Sequence, residues 1–469
     1  MAEARGVPAV LGIDLGTTEA KAALLGLDGR LLGLGRAGYP LDGGPDGRAE
    51  QDPRDWWRAV GAACRAIDAL ADDAVEVLGV CGVGQGPTLA VVDEAAAPLR
   101  PAITWQDRRP GDGGFGLLPR MAWLAQEDPD AAAQARWLLP TWDALALWLS
   151  GEAATSVQAH EVPPAAADLE AIGIRPAQVP EPLPFGTPLG LLRTEVVAQL
   201  GLRSRIPVVS GVNDGTASML GAGLILPGDA VDTGGASGGL AVLADRAIAL
   251  PGLYSAPAPL PGRWVVGGAM AALGASVDWL RESVLQDAID AEALLLEAST
   301  VAPGAGGLLF LPYLAGERAP LFDDAARGAF VGLTLAHGRA DLARAVLEGA
   351  AFAMRSLAEP LAAAGAPIRE LRLAGRRSPG DAWARIKADV LGVPVAIPSM
   401  GESAVLGAAI MAAAGVGAVG DLEAGVAAMT SVALRIEPDP ETQARYDALY
   451  AVYRDLWPAI APTVHALAR

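Results

Sequence analysis

An apolar run near the start of the chain leads into Gly12-Ile13-Asp14-Leu15-Gly16-Thr17-Thr18, so a buried strand ends on a carboxylate and a tight, hydroxyl-rich turn. Such a turn offers N–H and hydroxyl donors to an anion, while the carboxylate steers a divalent cation. Asp and Gly also mark ordinary hairpins, so one copy constrains little. The constraint comes from recurrence. Asp232-Thr233-Gly234-Gly235-Ala236-Ser237-Gly238-Gly239 sets a second carboxylate ahead of a second small, Gly-rich turn, again beside an apolar run, Leu240 to Leu243. Two such turns, roughly half a chain apart, imply two related halves serving one nucleotide.

The 469 residues exceed one hydrophobic core, which predicts two or three domains. With 52% hydrophobic and 19% charged residues the chain can bury large cores and is not disordered. A net charge of −19 argues against nucleic acid, which needs clustered Lys and Arg, but not against a nucleotide held by local donors and a metal. Cys64 and Cys81 supply neither a disulfide framework nor metal-ligand spacing, and three histidines make a zinc site a poor reading. A reducing cytoplasm is expected, since residues 1–8 lack the layout of a signal peptide. Ala404 to Val419 is too short and too Gly/Ala-rich for a membrane span and reads as a buried helix.

Ala22 to Leu27, Asp28-Gly29 and Arg30 to Leu34 read as a hairpin that completes a three-stranded antiparallel start. Asp52-Pro53 opens an amphipathic helix through Ile67. Val77 to Val83 and Ile206 to Val209 read as buried strands, the second delivering Gly211-Val212-Asn213-Asp214-Gly215. Trp123, Trp137, Trp142 and Trp148 fall in a helical stretch and read chiefly as core, with a pocket wall as the alternative. Leu226-Pro227-Gly228-Asp229 reads as the joint between a first domain, 7–228, and a second, 229–469. Strands alternating with helices predict an α/β architecture with mixed sheets.

Asp214 is the candidate catalytic base. A carboxylate just past a buried strand lies where α/β folds place reactive groups, and it could take the proton of a hydroxyl attacking a γ-phosphate. The competing reading is an Asp that caps the helix from Thr216. Trp105, Asp107 and Arg109 combine a flat apolar face with acceptors and forked donors suited to a polyol; a surface ion-pair cluster is the alternative. Gln85 could read a sugar hydroxyl or brace its turn. Gly235, Ala236, Ser237 and Gly238 could wrap phosphates with main-chain N–H groups, against the reading as a hairpin. Gly401-Glu402-Ser403 opens a helix and, being near Ala374-Gly375 in sequence, would also suit an adenine slot.

These motifs together resemble the FGGY carbohydrate kinases, most closely their xylulokinase-like branch, over about residues 8–460. The ordered blocks are the first turn with Lys21, Glu50-Gln51-Asp52-Pro53 with Trp57, Trp105-x-Asp107-x-Arg109, Gly211-Val212-Asn213-Asp214, Pro312 to Pro320, Arg344 to Gly349 and Glu402 to Ala409. The resemblance implies an actin-like ATPase fold of two RNase H-like domains around a nucleotide cleft, with sugar and base on the first domain and ATP on the second. It implies Asp214 as base, Asp14 at Mg²⁺, and Gly16, Thr17, Thr18 and Lys21 at the phosphates. It further implies Gly235 to Gly238 as a second phosphate loop and Ala374-Gly375 on the adenine side. Gln85, Gly86, Pro87, Trp105, Asp107, Arg109, Asn213 and Asp214 would line the sugar site. The partner is then a small sugar, and a homodimer fits the family.

Three departures carry consequences. Ala236 stands where the family usually has Thr, removing a hydroxyl. Leu373-Ala374-Gly375-Arg376-Arg377 replaces a glycine run at the adenine loop. Gly86-Pro87 replaces the Met-His of xylulokinases, which puts D-xylulose in question against gluconate, a polyol or another ketose. A sugar-binding sensor of the same fold is the second reading, and a mechanical ATPase the third.

Overall fold

A computed structural model describes residues 6–111, 116–157, 164–374 and 382–467. The chain forms two compact units, each considered in turn. The first comprises Met1–Gly223, Pro259–Pro261 and Glu402–Thr430; the second comprises Leu224–Ala258, Gly262–Gly401 and Ser431–Arg469. The first crossing lies close to the expected joint. A single cut at 228/229 nevertheless misses the return of 402–430 to the first unit.

In the first unit, β1 (Val7–Leu15), β2 (Glu19–Gly26) and β3 (Leu31–Gly38) form the expected antiparallel start, turning at Asp28-Gly29 where Gly29 has φ +77°. Helix α1 (Pro53–Arg65) begins as predicted, with Asp52 accepting from the Arg54 N–H and Pro53 in the first turn. Strand β4 (Val75–Gly84), helix α2 (Thr141–Ser150), strands β5 (Pro188–Leu191) and β6 (Pro207–Val209), and helix α3 (Asp214–Gly221) follow. The sheet order is β5-β6-β4-β1-β2-β3, with β1, β4 and β6 parallel to one another.

Strand β1 is buried on both faces, which explains its unbroken apolar run. Ala9, Leu11, Ile13 and Leu15 pack into one core with Trp56, Val60 and Ala63 of α1. The opposite face, carrying Gly12 and Asp14, is covered by a returning helix, Ser403–Gly415. Contact there is main chain on main chain. A Cβ on Gly12 would stand 2.2 Å from the Val405 carbonyl oxygen, and one on Gly221 of α3 1.9 Å from that of Ser403. A Cβ on Gly407 of the returning helix would likewise stand 1.9 Å from the Ala217 carbonyl oxygen of α3.

The second unit repeats this plan. Its strands are β7 (Asp229–Asp232), β8 (Gly239–Ala244), β9 (Tyr254–Pro257), β10 (Trp264–Ala269), β11 (Glu370–Leu373), β12 (Val395–Pro398) and β13 (Val432–Ile436). Their order is β9-β10-β8-β7-β11-β12-β13. The segment β10-β8-β7-β11-β12 matches β3-β2-β1-β4-β6: three antiparallel strands, then two parallel to the first. Helices α4 (Leu273–Trp279), α5 (Arg339–Ala363), α6 (Ala382–Leu391) and α7 (Pro440–Leu467) complete the unit. Among the described residues no helix is long and apolar enough to cross a membrane.

Since a Cβ on Gly407 meets backbone rather than a movable side chain, Gly407→Ala is expected to cost about 1–3 kcal/mol. Denaturant unfolding of the variant measures this; an unchanged midpoint would mean the returning helix is not seated on α3.

Candidate active site

Strands β1, β4 and β6 end side by side, which sets Asp14, Gln85, Asn213 and Asp214 along one carboxyl edge, where open α/β sheets bind ligands. Asp14 is level with Val83 and Leu15 with Gly84 across β1 and β4, and Gly84 bridges to Asn213. The first turn has a consistent polarity. The Leu15 carbonyl accepts from the Gln85 N–H (2.8 Å), Gly16 from the Tyr39 hydroxyl, Thr17 from Gln51 Nε2 (2.7 Å) and Thr18 from the Tyr39 N–H (3.1 Å). Every carbonyl of the turn is thus held inward. The Thr17 and Thr18 N–H groups have no acceptor among the described residues, which is the arrangement an anion requires.

Asp14 is buried, and its Oδ1 has no hydrogen-bond partner. Burial, with the charge of Asp214 next, raises the affinity of Asp14 for a proton; Lys21, 3.8 Å away, opposes this. Lys21 Nζ also pairs with Glu402 Oε2 at 2.9 Å, and Arg36 bonds to Glu402 and Glu19. Burial alone would raise Glu402, but Arg36 and Lys21 bring it below its usual value. Glu402 is therefore an anchor for these cations in the first unit.

Asp214 is half-buried in the first turn of α3. The helix is capped by its neighbour: Asn213 Oδ1 accepts from the Thr216 N–H at 2.8 Å. The capping explanation for Asp214 therefore falls away. Its Oδ1 accepts from the adjacent Gly215 N–H, at 2.8 Å. Burial raises the Asp214 carboxyl above the ordinary range, opposed by that N–H and by Lys21.

Gln51 links this edge to the residues expected at the sugar. While its Nε2 holds Thr17, its Oε1 accepts from Gln85 Nε2 (2.6 Å) and Trp56 Nε1 (3.0 Å). Trp105 is 42% exposed, yet its indole N–H donates to Thr17 Oγ1 at 3.2 Å, fastening an aromatic face beside the first turn. Asp107 and Arg109 are differently placed. Asp107 accepts from the Ala49 and Arg109 N–H groups and from Arg109 Nε and Nη2, so both of its oxygens are engaged. Burial would raise its proton affinity, but the Arg109 and main-chain bonds hold it below the usual range. Arg109 also binds Glu50 (2.7 Å) and stacks on Trp123. This pair braces the Trp105 segment. Sequence reasoning missed Gln51 and Tyr39 as turn holders; the signal was Gln51 inside the quoted Glu50-Pro53 block.

In the second unit the second turn has the same polarity. The Ala236, Ser237 and Gly238 carbonyls accept from the N–H groups of Ala275 (2.8 Å), Leu273 (3.0 Å) and Met270 (3.2 Å). The N–H groups of Gly235 to Gly238 have no acceptor among the described residues, and Gly234, Gly235 and Gly238 take the positive φ this requires. Asp232, at the head of the turn, is buried: Oδ1 accepts from the Gly234 N–H (2.9 Å) and Oδ2 from Lys387 Nζ (2.6 Å). Lys387, on α6, also lies 4.0 Å from the Trp383 ring centroid and was not foreseen. Ala374 continues β11, its N–H bonded to the Asp232 carbonyl at 2.9 Å; Gly375 lies outside the described residues.

Comparison with known proteins agrees with this geometry. Residues 9–112 match the N-terminal domain and residues 233–416 the C-terminal domain of the FGGY family of carbohydrate kinases. A xylulose kinase of Lactococcus lactis is 28% identical over 98% of each chain. A glycerol kinase of Thermus brockianus is 31% identical over 88% of this chain and 92% of its own. The crystal structure of a xylulose kinase from Rhodospirillum rubrum superposes with a TM-score of 0.85 at 29% identity, over 97% of this chain and 100% of that one. The duplicated ribonuclease H-like, actin-like fold, with relatives that are carbohydrate kinases along the whole chain, makes this a phosphotransferase. The chain belongs to the FGGY family of carbohydrate kinases.

Two stability tests follow from the buried charges. A raised carboxyl pKa means the folded state holds the proton more tightly than the unfolded chain, so Asp214 lowers stability as pH rises through that range. Asp214→Asn is therefore expected to raise Tm by roughly 2–4 °C at neutral pH, the gain vanishing towards about pH 4, where both chains are protonated. A gain that did not shrink on acidification would contradict the buried-charge account. Lys387→Met would strand the Asp232 carboxylate at a cost of about 3–5 kcal/mol. Adding Asp232→Asn should restore most of that in a denaturant melt; no recovery in the double variant would deny the pairing.

Proposed function

We propose that this kinase transfers the γ-phosphate of ATP to a hydroxyl of a small neutral carbohydrate, a ketopentose such as xylulose being the first choice, with Asp214 as base. What carries the reading is Asp214 itself: it is released from capping by Asn213, set beside Asp14, and raised in proton affinity. Asp214 accepts the hydroxyl proton as the acceptor oxygen bonds to the γ-phosphorus and the bond from phosphorus to the ADP oxygen breaks. The Thr17 and Thr18 amides and those of Gly235 to Gly238 bind phosphate oxygens, and Lys21 supplies positive charge beside Asp14. Asp14 would hold Mg²⁺, directly or through water; its unpartnered Oδ1 and the mutual repulsion of two carboxylates fit a cation there. Bound Mg²⁺ would screen the charge of the phosphates.

The neutrality of the acceptor rests on the nearby guanidiniums. Arg109 is held by Asp107 and Glu50, and Arg120 donates to the Thr104, Gly116 and Trp105 carbonyls. Neither is left to grip a carboxylate, which disfavours a sugar acid. Relatives named xylulose kinase, gluconokinase and glycerol kinase stand at similar identity, so the choice among acceptors is one for experiment.

A coupled ADP-release assay with MgATP across ketopentoses, glycerol, other polyols and gluconate tests this. One neutral acceptor should dominate, and Asp214→Asn should lower kcat by a thousandfold or more while leaving acceptor binding intact. Because the base must be ionised, kcat/KM should fall as pH drops through a value above the ordinary carboxylate range. Turnover persisting in Asp214→Asn would remove the base assignment. Acceptor-induced thermal stabilisation without turnover would favour the sensor.

A further inference from the structure

Two indoles sit on the short segment that follows β4. Trp105 is held at its far end, its main-chain N–H donating to Thr88 Oγ1 at 3.1 Å. Trp142, in the first turn of α2, lies over Gly86. A Cβ on Gly86 would stand 2.7 Å from Cζ3 and 3.3 Å from Cη2 of that ring, and 3.7 Å from Cβ of Asn213. Gly86 thus makes room for the ring, and the ring borders the residue that precedes Asp214. The start of α2 is fixed there, since Thr141 Oγ1 donates to the Gln85 carbonyl at 2.8 Å. The ring is half-buried, so part of its surface remains open to a ligand.

Trp142 Nε1 and Gln85 Oε1 are both buried without a hydrogen-bond partner. The Gln85 amide is oriented by the bond from Nε2 to Gln51 Oε1, which leaves Oε1 as the free acceptor. Buried polar atoms without partners are uncommon in folded proteins and call for an explanation. A buried donor on Trp142, whose ring lies over Gly86, and a buried acceptor on Gln85, the residue before that glycine, together complement a hydroxyl, which gives one hydrogen and takes one.

We propose that Trp142 is the residue that sets acceptor specificity. Its ring closes the space over Gly86 and offers an apolar face to the C–H side of the acceptor. Its N–H, with Gln85 Oε1, reads a hydroxyl of the acceptor other than the one phosphorylated. The class selected is a compact, neutral polyhydroxy chain, and acceptors with bulk over Gly86 are turned away. This rests on the kinase reading above.

The test compares wild type, Trp142→Phe and Trp142→Ala over the same acceptor panel, extended by deoxy analogues. Trp142→Ala should raise KM for the preferred acceptor tenfold or more and improve bulkier acceptors relative to it, with KM for MgATP within twofold. Trp142→Phe keeps the wall and loses the donor, so it should retain size selection while discriminating less against one deoxy analogue. An unchanged acceptor ranking in a Trp142→Ala protein with a normal melt would overturn the proposal. Acceptor-induced thermal shifts in the same variants need no turnover: equal shifts in wild type and Trp142→Ala would overturn it too. Failure of the kinase reading is recognised separately, by wild-type turnover that Asp214→Asn does not abolish.

Discussion

The constraint on which the site depends is the polarity of two short turns. A peptide unit is a dipole, and a turn binds an anion only if its N–H ends face outward while each carbonyl finds a donor behind it. The first turn draws those donors from four different places: the Gln85 main chain, the Gln51 side chain, and both the N–H and the hydroxyl of Tyr39. The second draws three from the entry to α4. Much of the surrounding structure exists to supply these donors. The small sheet that carries Ala49–Gln51 delivers Gln51, and the same glutamine orders Gln85. The first turn and Gln85 therefore share one buried amide.

Charge is arranged with the same economy. Asp14 and Asp232 occupy equivalent ends of equivalent strands, yet only one of them keeps an oxygen without a partner. Asp232 is neutralised by Lys387 and closes its own turn through Gly234. Asp14 faces Lys21, but Lys21 leans towards Glu402 and leaves Oδ1 uncompensated. Duplication of the fold has produced one carboxylate with both oxygens engaged and one with an oxygen left over.

Much of this was legible in the sequence. The two Asp-Gly turns, the hairpin at Asp28-Gly29, the Asp52-Pro53 helix start and the strand leading to Asp214 all depend on local chemistry, and local chemistry is what a sequence displays. What was illegible depends on contacts between distant segments. Nothing near Lys387 announces Asp232, because the pair is made by α6, which packs on β12 and β13 and reaches the end of β7 with one side chain. Asn213 and Asp214 are both good caps, and only the backbone decided that Asn213 takes the role. Trp142 looked like any core tryptophan until Gly86 was found beneath it. Asp107 and Arg109 were read by residue type either as contacts for a sugar or as an ion-pair cluster, and the pairing itself depends on side-chain geometry that a sequence does not display.

The return of Glu402–Thr430 to the first unit makes that unit discontinuous, with 224–401 lying between its parts. During synthesis the face of β1 that carries Gly12 and Asp14 must therefore wait for its cover. At ~5–20 residues per second that wait is on the order of ten to forty seconds. For this interval that glycine-lined face of β1 lacks its cover, and the second unit is incomplete as well, because its Ser431–Arg469 part follows the returning segment. The edge that carries Asp14 and the second unit are thus both completed only after residue 401.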